Sequence, residues 1–317
     1  MAQAVIDGVE YRPPKRGIKG VLREMRREWT AYLFNAPGLI LFCVFVIYAL
    51  YTSFSLSFHQ WDILQPNKPF VGLQNYREVF HDSAFWASIG HTIYYVVGTV
   101  PVEMAVGLGL ALLLNAKLRA LGIFRTAYYL PVITPLVVAA IIWKWVYQGD
   151  FGLLNFYLLK FHLISHPLLW LSDEHLAMPA VIIMIIWKSS GFNAVIYLAG
   201  LQAIPNEFYE AAAVDGAGGW QRFRRITFPL VAPTTFFLLI INVIGGTKDF
   251  ASIFVMTNGG PPGPGGATTT VVYYIYTQAF KFFRMGYASA LAYTLFVLLF
   301  IVSFAQFRWY MRQVESD

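Results

Sequence analysis

The stretch "EAAAVDGAGGWQRFRRITFPL" (Glu210–Leu230) is the most polar segment in the second half of a very apolar chain. Pro205 suits the first turn of a helix, where its missing N–H costs nothing, and Asn206 to Val214 continues with good helix formers. Gly216, Gly218 and Gly219 break that run, because glycine takes backbone angles that other residues avoid. Trp220 to Thr227 suits a second short helix, with Pro229 as its stop. Phe208, Ala211 and Ala212 recur at helical spacing, as do Trp220 and Phe223, so each short helix has an apolar or small face and a charged face. The segment reads as helix, glycine turn, helix. Two roles are open at this level. One is an amphipathic connection resting on lipid headgroups. The other is a docking surface, since Ala211–Ala213 let a second surface approach closely.

What flanks the segment sets the fold class. The 317 residues are 57% hydrophobic and only 13% charged, against about 25% charged in soluble domains. A membrane protein is therefore expected, and the net charge of +6 reflects topology rather than nucleic acid. A spanning helix needs about 20 apolar residues. Six stretches qualify, roughly Ala36–Phe58, Ile89–Leu114, Ala127–Tyr147, Leu176–Leu198, Pro233–Met256 and Ala288–Tyr310. The expectation is an all-α, polytopic integral membrane protein. It divides into a basic tail (1–35), a first span (36–58) that is a retained anchor, an outer loop (59–88), a core of five helices (89–312) containing the polar connection (200–230), and an end tail (313–317). Cys43 is the only cysteine and lies within an apolar run, so no internal disulfide or CxxC site exists.

Basic residues fix the expected orientation. Arg12, Lys15, Arg16, Lys19, Arg23, Arg26 and Arg27 precede the first span. Lys117, Arg119 and Arg125 lie in the second connection, Arg222, Arg224 and Arg225 in the fourth, and Arg308 and Arg312 at the end. The other three connections carry only Lys68, Arg77, Lys160, Lys281 and Arg284. By the positive-inside rule both termini and the Glu210 segment face the cytoplasm. "TNGGPPGPGG" (Thr257–Gly266) is too rich in Pro and Gly to continue a helix and shapes the outer mouth.

The polar segment also carries a resemblance. Glu210-Ala211-Ala212, then Asp215, Gly216 and Ala217, then Ile226-Thr227-Phe228-Pro229, resembles the EAA loop of permease subunits in bacterial binding-protein-dependent ABC importers. Phe228 stands where leucine is usual. "FVGLQNY" (Phe70–Tyr76), "FRTAYYLP" (Phe124–Pro131), "GLLN" (Gly152–Asn155), "LAGLQAIP" (Leu198–Pro205) and "TNGGP" (Thr257–Pro261) look like the carbohydrate-uptake group, which includes maltose-, lactose- and glycerol-3-phosphate-type permeases. The match runs from about Tyr32 to the end, and the permease named first in such systems, similar to the maltose MalF type, fits better than its partner subunit. The resemblance implies a type I ABC importer permease fold in which Glu210, Ala211, Ala212, Asp215, Gly216, Ala217, Ile226 and Pro229 form a cytoplasmic coupling helix. It also implies a second permease as heterodimer partner, two copies of an ABC ATPase and an extracytoplasmic solute-binding protein. ATP and Mg would sit on the ATPase.

The chain itself offers no catalytic constellation. It lacks G-x-x-x-x-G-K-[ST] and HExxH. "GLGLALLL" (Gly107–Leu114) lies inside a span, where Gly107 with Ala111, and Ala105 with Gly109, have the spacing that lets membrane helices pack closely. His162 and His166 have chelating spacing but fall in an outer connection, so no metal site is expected. Charges at membrane depth usually face a cavity or a partner. Glu103 in the second span and Lys188 in the fourth fall at similar depth, so an ion pair or pathway lining is open. Ser189, Ser190, Asn193, Asn242, Thr247 and Asp249 complete the candidate pathway, and Lys248 is read as pathway or as snorkelling to the interface. An ion-coupled secondary transporter is the rival class. It would need coupling carboxylates at the midplane, where Glu103 is the only clear acid, and it leaves the Glu210 segment unexplained.

Overall fold

In hydrocarbon the backbone must satisfy its own hydrogen bonds, so apolar runs of this length fold as helices. The computed structural model describes residues 5–6, 9–10, 29–64, 67–116, 121–257 and 266–316. All seven tail arginines and lysines, Lys117, Arg119 and the interior of Thr257–Gly266 lie outside the described residues. The chain divides into two compact units, residues 1–55 and 56–317.

The first unit holds a two-residue antiparallel pairing, β1 (Val5–Ile6) with β2 (Val9–Glu10), and the helix α1 (Tyr32–Leu56). Phe34, Phe45, Tyr48 and Tyr51 are all more than three-fifths exposed on α1, which suits a helix that meets lipid or another chain.

The second unit begins with α2 (Gln74–His81), followed by α3 (Ser83–Asn115), α4 (Leu121–Ile133), α5 (Leu136–Val146), α6 (Leu153–Lys160) and α7 (Ala177–Gln202). Then come α8 (Asn206–Val214), α9 (Gly219–Leu230), α10 (Ala232–Thr247), α11 (Ala251–Met256), α12 (Val271–Tyr276) and α13 (Met285–Ser316). Among the described residues four helices, α1, α3, α7 and α13, are long and apolar enough to cross a membrane unbroken. At 33 residues, α3 spans about 50 Å at 1.5 Å per residue, so it tilts or projects beyond a core about 30 Å thick.

The other two expected spans are broken. Ala127–Tyr147 is two helices, with α5 turned 105° from α4. Pro131 and Pro135 remove two N–H donors around the break, and a helix interior does not tolerate that loss. In the fifth, α10 stops at Thr247 and resumes as α11 only after Lys248–Phe250, while α9 meets α10 at 60°. Pro229 does not end α9. A wider turn over Phe223–Thr227, with the Phe228 N–H bonded to the Phe223 carbonyl, precedes it, and the chain bends at Val231 instead.

The α3–α7 pair forms the centre, with α4 and α10 packed on it. Gly107 and Ala111 are buried there, and a β carbon on Gly107 would lie 2.5 Å from Asn193 Cβ. The second small pair does not pack: Ala105 and Gly109 are exposed, and Gly109 has nothing within 4 Å. One apolar core joins α3, α5, α7, α11 and α12 through Tyr95, Tyr147, Met184, Ile253 and Tyr273. Another joins α3, α7 and α10 through Met104, Tyr197 and Leu238.

A third core ties α2 and the start of α3 to α12 and α13 through Val79, Phe85, Val271 and Leu291. Asp82 caps α3 by accepting from the Ala84 N–H at 2.9 Å, and accepts from the hydroxyls of Tyr274 and Tyr287 at 2.5 Å each. Burial pushes its carboxyl up, but these hydrogen bonds outweigh burial and hold it below the usual carboxylate value. A carboxyl depressed by folding contributes stability above its unfolded-state value near 3.8, and that contribution is lost as pH falls through the lower folded value. Melting of the purified protein between pH 7 and 3 should therefore show a loss below about pH 3.8. Asp82→Asn should lower the melting temperature at neutral pH and remove that part of the acid dependence.

Candidate functional site

Between α3, α4–α5, α7 and α10 lies a cavity of about 350 Å³, lined among others by Thr99, Glu103, Ser189, Phe192, Asn242 and Asp249. Each polar group comes from a helix held for a local reason. Glu103, 5% exposed, sits one turn before Gly107, where α3 and α7 touch, and makes no hydrogen bond or ion pair with the described residues. Asn242 on α10 donates to Asn193 Oδ1 at 2.7 Å, and fully buried Asn193 anchors that link on α7. Asp249 sits at the α10–α11 break and accepts from Tyr95 on α3 and from Ser252 of α11. One carboxylate thus holds the short helix α11 to α3.

Lys188 does not pair with Glu103. Its ammonium donates to the carbonyls of Pro131 (3.2 Å) and Val132 (3.1 Å) at the end of α4. The reason is the break. Along a regular helix the Pro131 carbonyl would accept from residue 135, a proline with no N–H, and the partner of Val132 would be Leu136, which starts the turned helix. Lys188 supplies the donors that the bend removes. Lys188→Met should strand both carbonyls at a cost of about 1–3 kcal/mol, read as a lower melting temperature of the purified protein. Lys188→Arg should restore most of it, and equal melting of wild type and Lys188→Met would refute this role.

Of the sequence candidates, Glu103, Lys188, Ser189, Asn242 and Asp249 line the one cavity. Three do not. Ser190 is buried and donates to the Ile186 carbonyl, Asn193 is consumed in the α3–α7 contact, and Thr247 donates to Val243 beside a separate apolar recess. Sequence reasoning missed Tyr95, Thr99 and Phe192. Thr99 is one turn before Glu103 and Phe192 one turn after Lys188, so helical spacing from those charges was the available signal.

The first helix and the glycine turn of the Glu210 segment form as the spacing predicts. α8 ends in a Schellman motif: the Ala217 N–H bonds to the Ala212 carbonyl at 2.8 Å and the Gly216 N–H to the Ala213 carbonyl at 3.1 Å. Gly216 has φ +74°, a left-handed angle that favours glycine. The Tyr209 hydroxyl meets Thr227 Oγ1 at 3.1 Å and ties α8 to α9, where Trp220 stacks on Phe223. The outer face carries Phe208 (50% exposed), Val214 (89%) and Trp220 (71%) beside exposed Glu210 and Asp215.

The family described as binding-protein-dependent transport system inner membrane component matches residues 103–312, from Glu103 through the Glu210 segment to the last helix. The chain belongs to that family. This permease is 36% identical over 280 residues to the trehalose/maltose transport system permease protein MalF of Thermococcus litoralis, covering 88% of this chain and 92% of the relative. It is 35% identical to the lactose transport system permease protein LacF of Rhizobium radiobacter, covering 87% and 92%. In fold the permease is similar to a chain of a bacterial ABC transporter involved in the import of the acidic polysaccharide alginate, with a TM-score of 0.80 at 23% identity over 92% of this chain and 98% of that one. It is a multi-pass inner-membrane permease of a binding-protein-dependent ABC importer, and as a transport subunit it is not an enzyme.

Proposed function

We propose that this permease is half of the pathway by which an ATP-driven importer moves an uncharged sugar or oligosaccharide into the cell. The observation that carries the reading is the cavity at the α3–α7 centre, whose carboxylates, amide, hydroxyls and aromatic ring suit sugar hydroxyls and sugar faces. Among the described residues the one ammonium lining the cavity, that of Lys188, is already occupied by backbone carbonyls. No free cation is offered there to a phosphate, which argues against glycerol 3-phosphate, the substrate of one type in the carbohydrate-uptake group. The carbohydrate names of the relatives support the same class.

The basic residues orient the Glu210 segment and both termini to the cytoplasm. There the exposed apolar and acidic face of α8 docks on one of two ATPase subunits, which bind ATP and Mg. A second permease completes the cavity, and a solute-binding protein delivers the sugar from outside. ATP binding closes the ATPases and pulls on α8 and α9; the 60° bend at Val231 passes the motion to α10, which carries Asn242. The cavity then opens alternately to each side.

The test is uptake by the reconstituted importer. Neutral oligosaccharides should accumulate only with ATP and binding protein, and collapsing ion gradients should change nothing. Glu103→Ala should cut uptake about tenfold without loss of assembly. Uptake of glycerol 3-phosphate but of no sugar, or uptake driven by an ion gradient, would refute the reading.

A further inference from the structure

The "GLLN" stretch, Gly152–Asn155, takes no part in the cavity or the coupling segment, yet it organises a second site. Gly152 fits a turn so tight that a β carbon would lie 2.2 Å from the Gln148 carbonyl. Asn155, 2% exposed, uses its whole amide. Its Nδ2 donates to the carbonyls of Gly149 (3.0 Å) and Leu168 (2.9 Å), and its Oδ1 accepts from Trp170 Nε1 (2.9 Å) and the Leu168 N–H (3.3 Å). One buried side chain therefore fixes the loop after α5 to the loop before α7.

Those loops enclose a recess of about 300 Å³, within the size range of small-ligand pockets. Tyr147, 2% exposed, backs the recess, with the hydroxyl donating to the Ala180 carbonyl at 2.9 Å and the ring 5.8 Å from that of Trp170. With both polar ends occupied, the two aromatic residues are held rigid; Tyr147 is buried, and the half-buried ring of Trp170 presents carbon surface to the recess. Around them Gln148, Asp150 and Ser172 line the recess, are exposed, and have no side-chain partner among the described residues. An amide, a carboxylate and a hydroxyl lining the same recess as the fixed Trp170 ring match the alternating hydroxyls and apolar face of a pyranose.

The recess lies at the start of α7, and the coupling segment follows its end, 26 residues on, or about 39 Å away. Tyr147 and Met256, which line the recess, also belong to the core that contains Tyr95, a lining residue of the membrane cavity. We propose that this recess is an outer sugar subsite that holds one ring of an incoming oligosaccharide before it enters the membrane cavity. The inference rests on the sugar reading and on the cytoplasmic orientation of the Glu210 segment.

The experiment uses the complete importer in proteoliposomes with maltotriose, lactose and arabinotriose as probes. The wild type first identifies a transported sugar. Gln148→Ala/Asp150→Ala, at exposed positions, is then compared at low and saturating sugar-loaded binding protein, with binding-protein docking measured separately. The subsite requires about a tenfold loss of uptake at low load, with docking and basal ATP hydrolysis unchanged. Ser172→Trp, which fills the recess, should give the same split. Unchanged uptake in both variants overturns the subsite while leaving the sugar function intact. A loss explained by weaker binding-protein docking makes the recess a protein contact and also overturns it. Transport of none of the probes by the wild type overturns the sugar reading, and the subsite with it.

Discussion

Replacing Gly216 with valine is expected to abolish coupled uptake while leaving the helices inserted. The position is exposed and has no neighbour within 4 Å, so no steric clash is involved. The backbone angle is the cause. At φ +74° a β-branched residue strains the chain by about 1–3 kcal/mol, and relaxing that strain breaks the two hydrogen bonds that close α8. The orientation of α8 against α9 then depends on the Tyr209–Thr227 contact alone. Uptake by the reconstituted importer should fall more than tenfold, with less ATPase co-purifying. Gly216→Asn should keep most activity, because asparagine tolerates the left-handed region. Glu210→Lys, on the exposed face beside it, should weaken ATPase docking with the turn intact. Normal uptake by Gly216→Val would show that the turn does not position the coupling helix.

The turn at Gly216 is legible in the amino-acid sequence, and the reason is local. Gly216 acts within six residues of its own helix, so its spacing from Glu210 and Ala212 carries the information. The unbroken spans are legible for the same reason: length and apolar composition decide them. The third and fifth spans differ from expectation where the composition stays apolar but hydrogen bonding fails, at Pro131–Pro135 and at Lys248–Phe250. Hydropathy does not register a missing N–H. The Glu103–Lys188 pairing fails with them. Depth along two helices suffices to put both residues on one cavity, but the carbonyls that claim Lys188 exist only because α4 ends there. Ser190 and Asn193 are indistinguishable from Ser189 by composition. Their burial depends on which face of α7 meets α3 and α4, which is a tertiary fact.

Replacing Gly191 with alanine is expected to be the most destructive single-carbon addition in the chain's centre. A β carbon there would lie 2.2 Å from the Tyr128 carbonyl oxygen and 2.9 Å from Val132 Cγ2. The first contact is backbone, which has no rotamer by which to yield, so α4 must move off α7. Overpacking of this kind costs about 1–3 kcal/mol. Here the displacement also pulls the Pro131 and Val132 carbonyls away from Lys188, which lies one turn earlier on the same face of α7. Val132 and Leu136 line the cavity on either side of the bend, so any protein that still folds should have a reshaped pathway. The expected result is a melting temperature lower by several degrees together with loss of uptake. Gly109→Ala, where nothing lies within 4 Å, should be silent or slightly stabilising. If Gly191→Ala instead melts and transports like the wild type, α4 is not held against α7 at this contact, and Lys188 is not the cap of the bend.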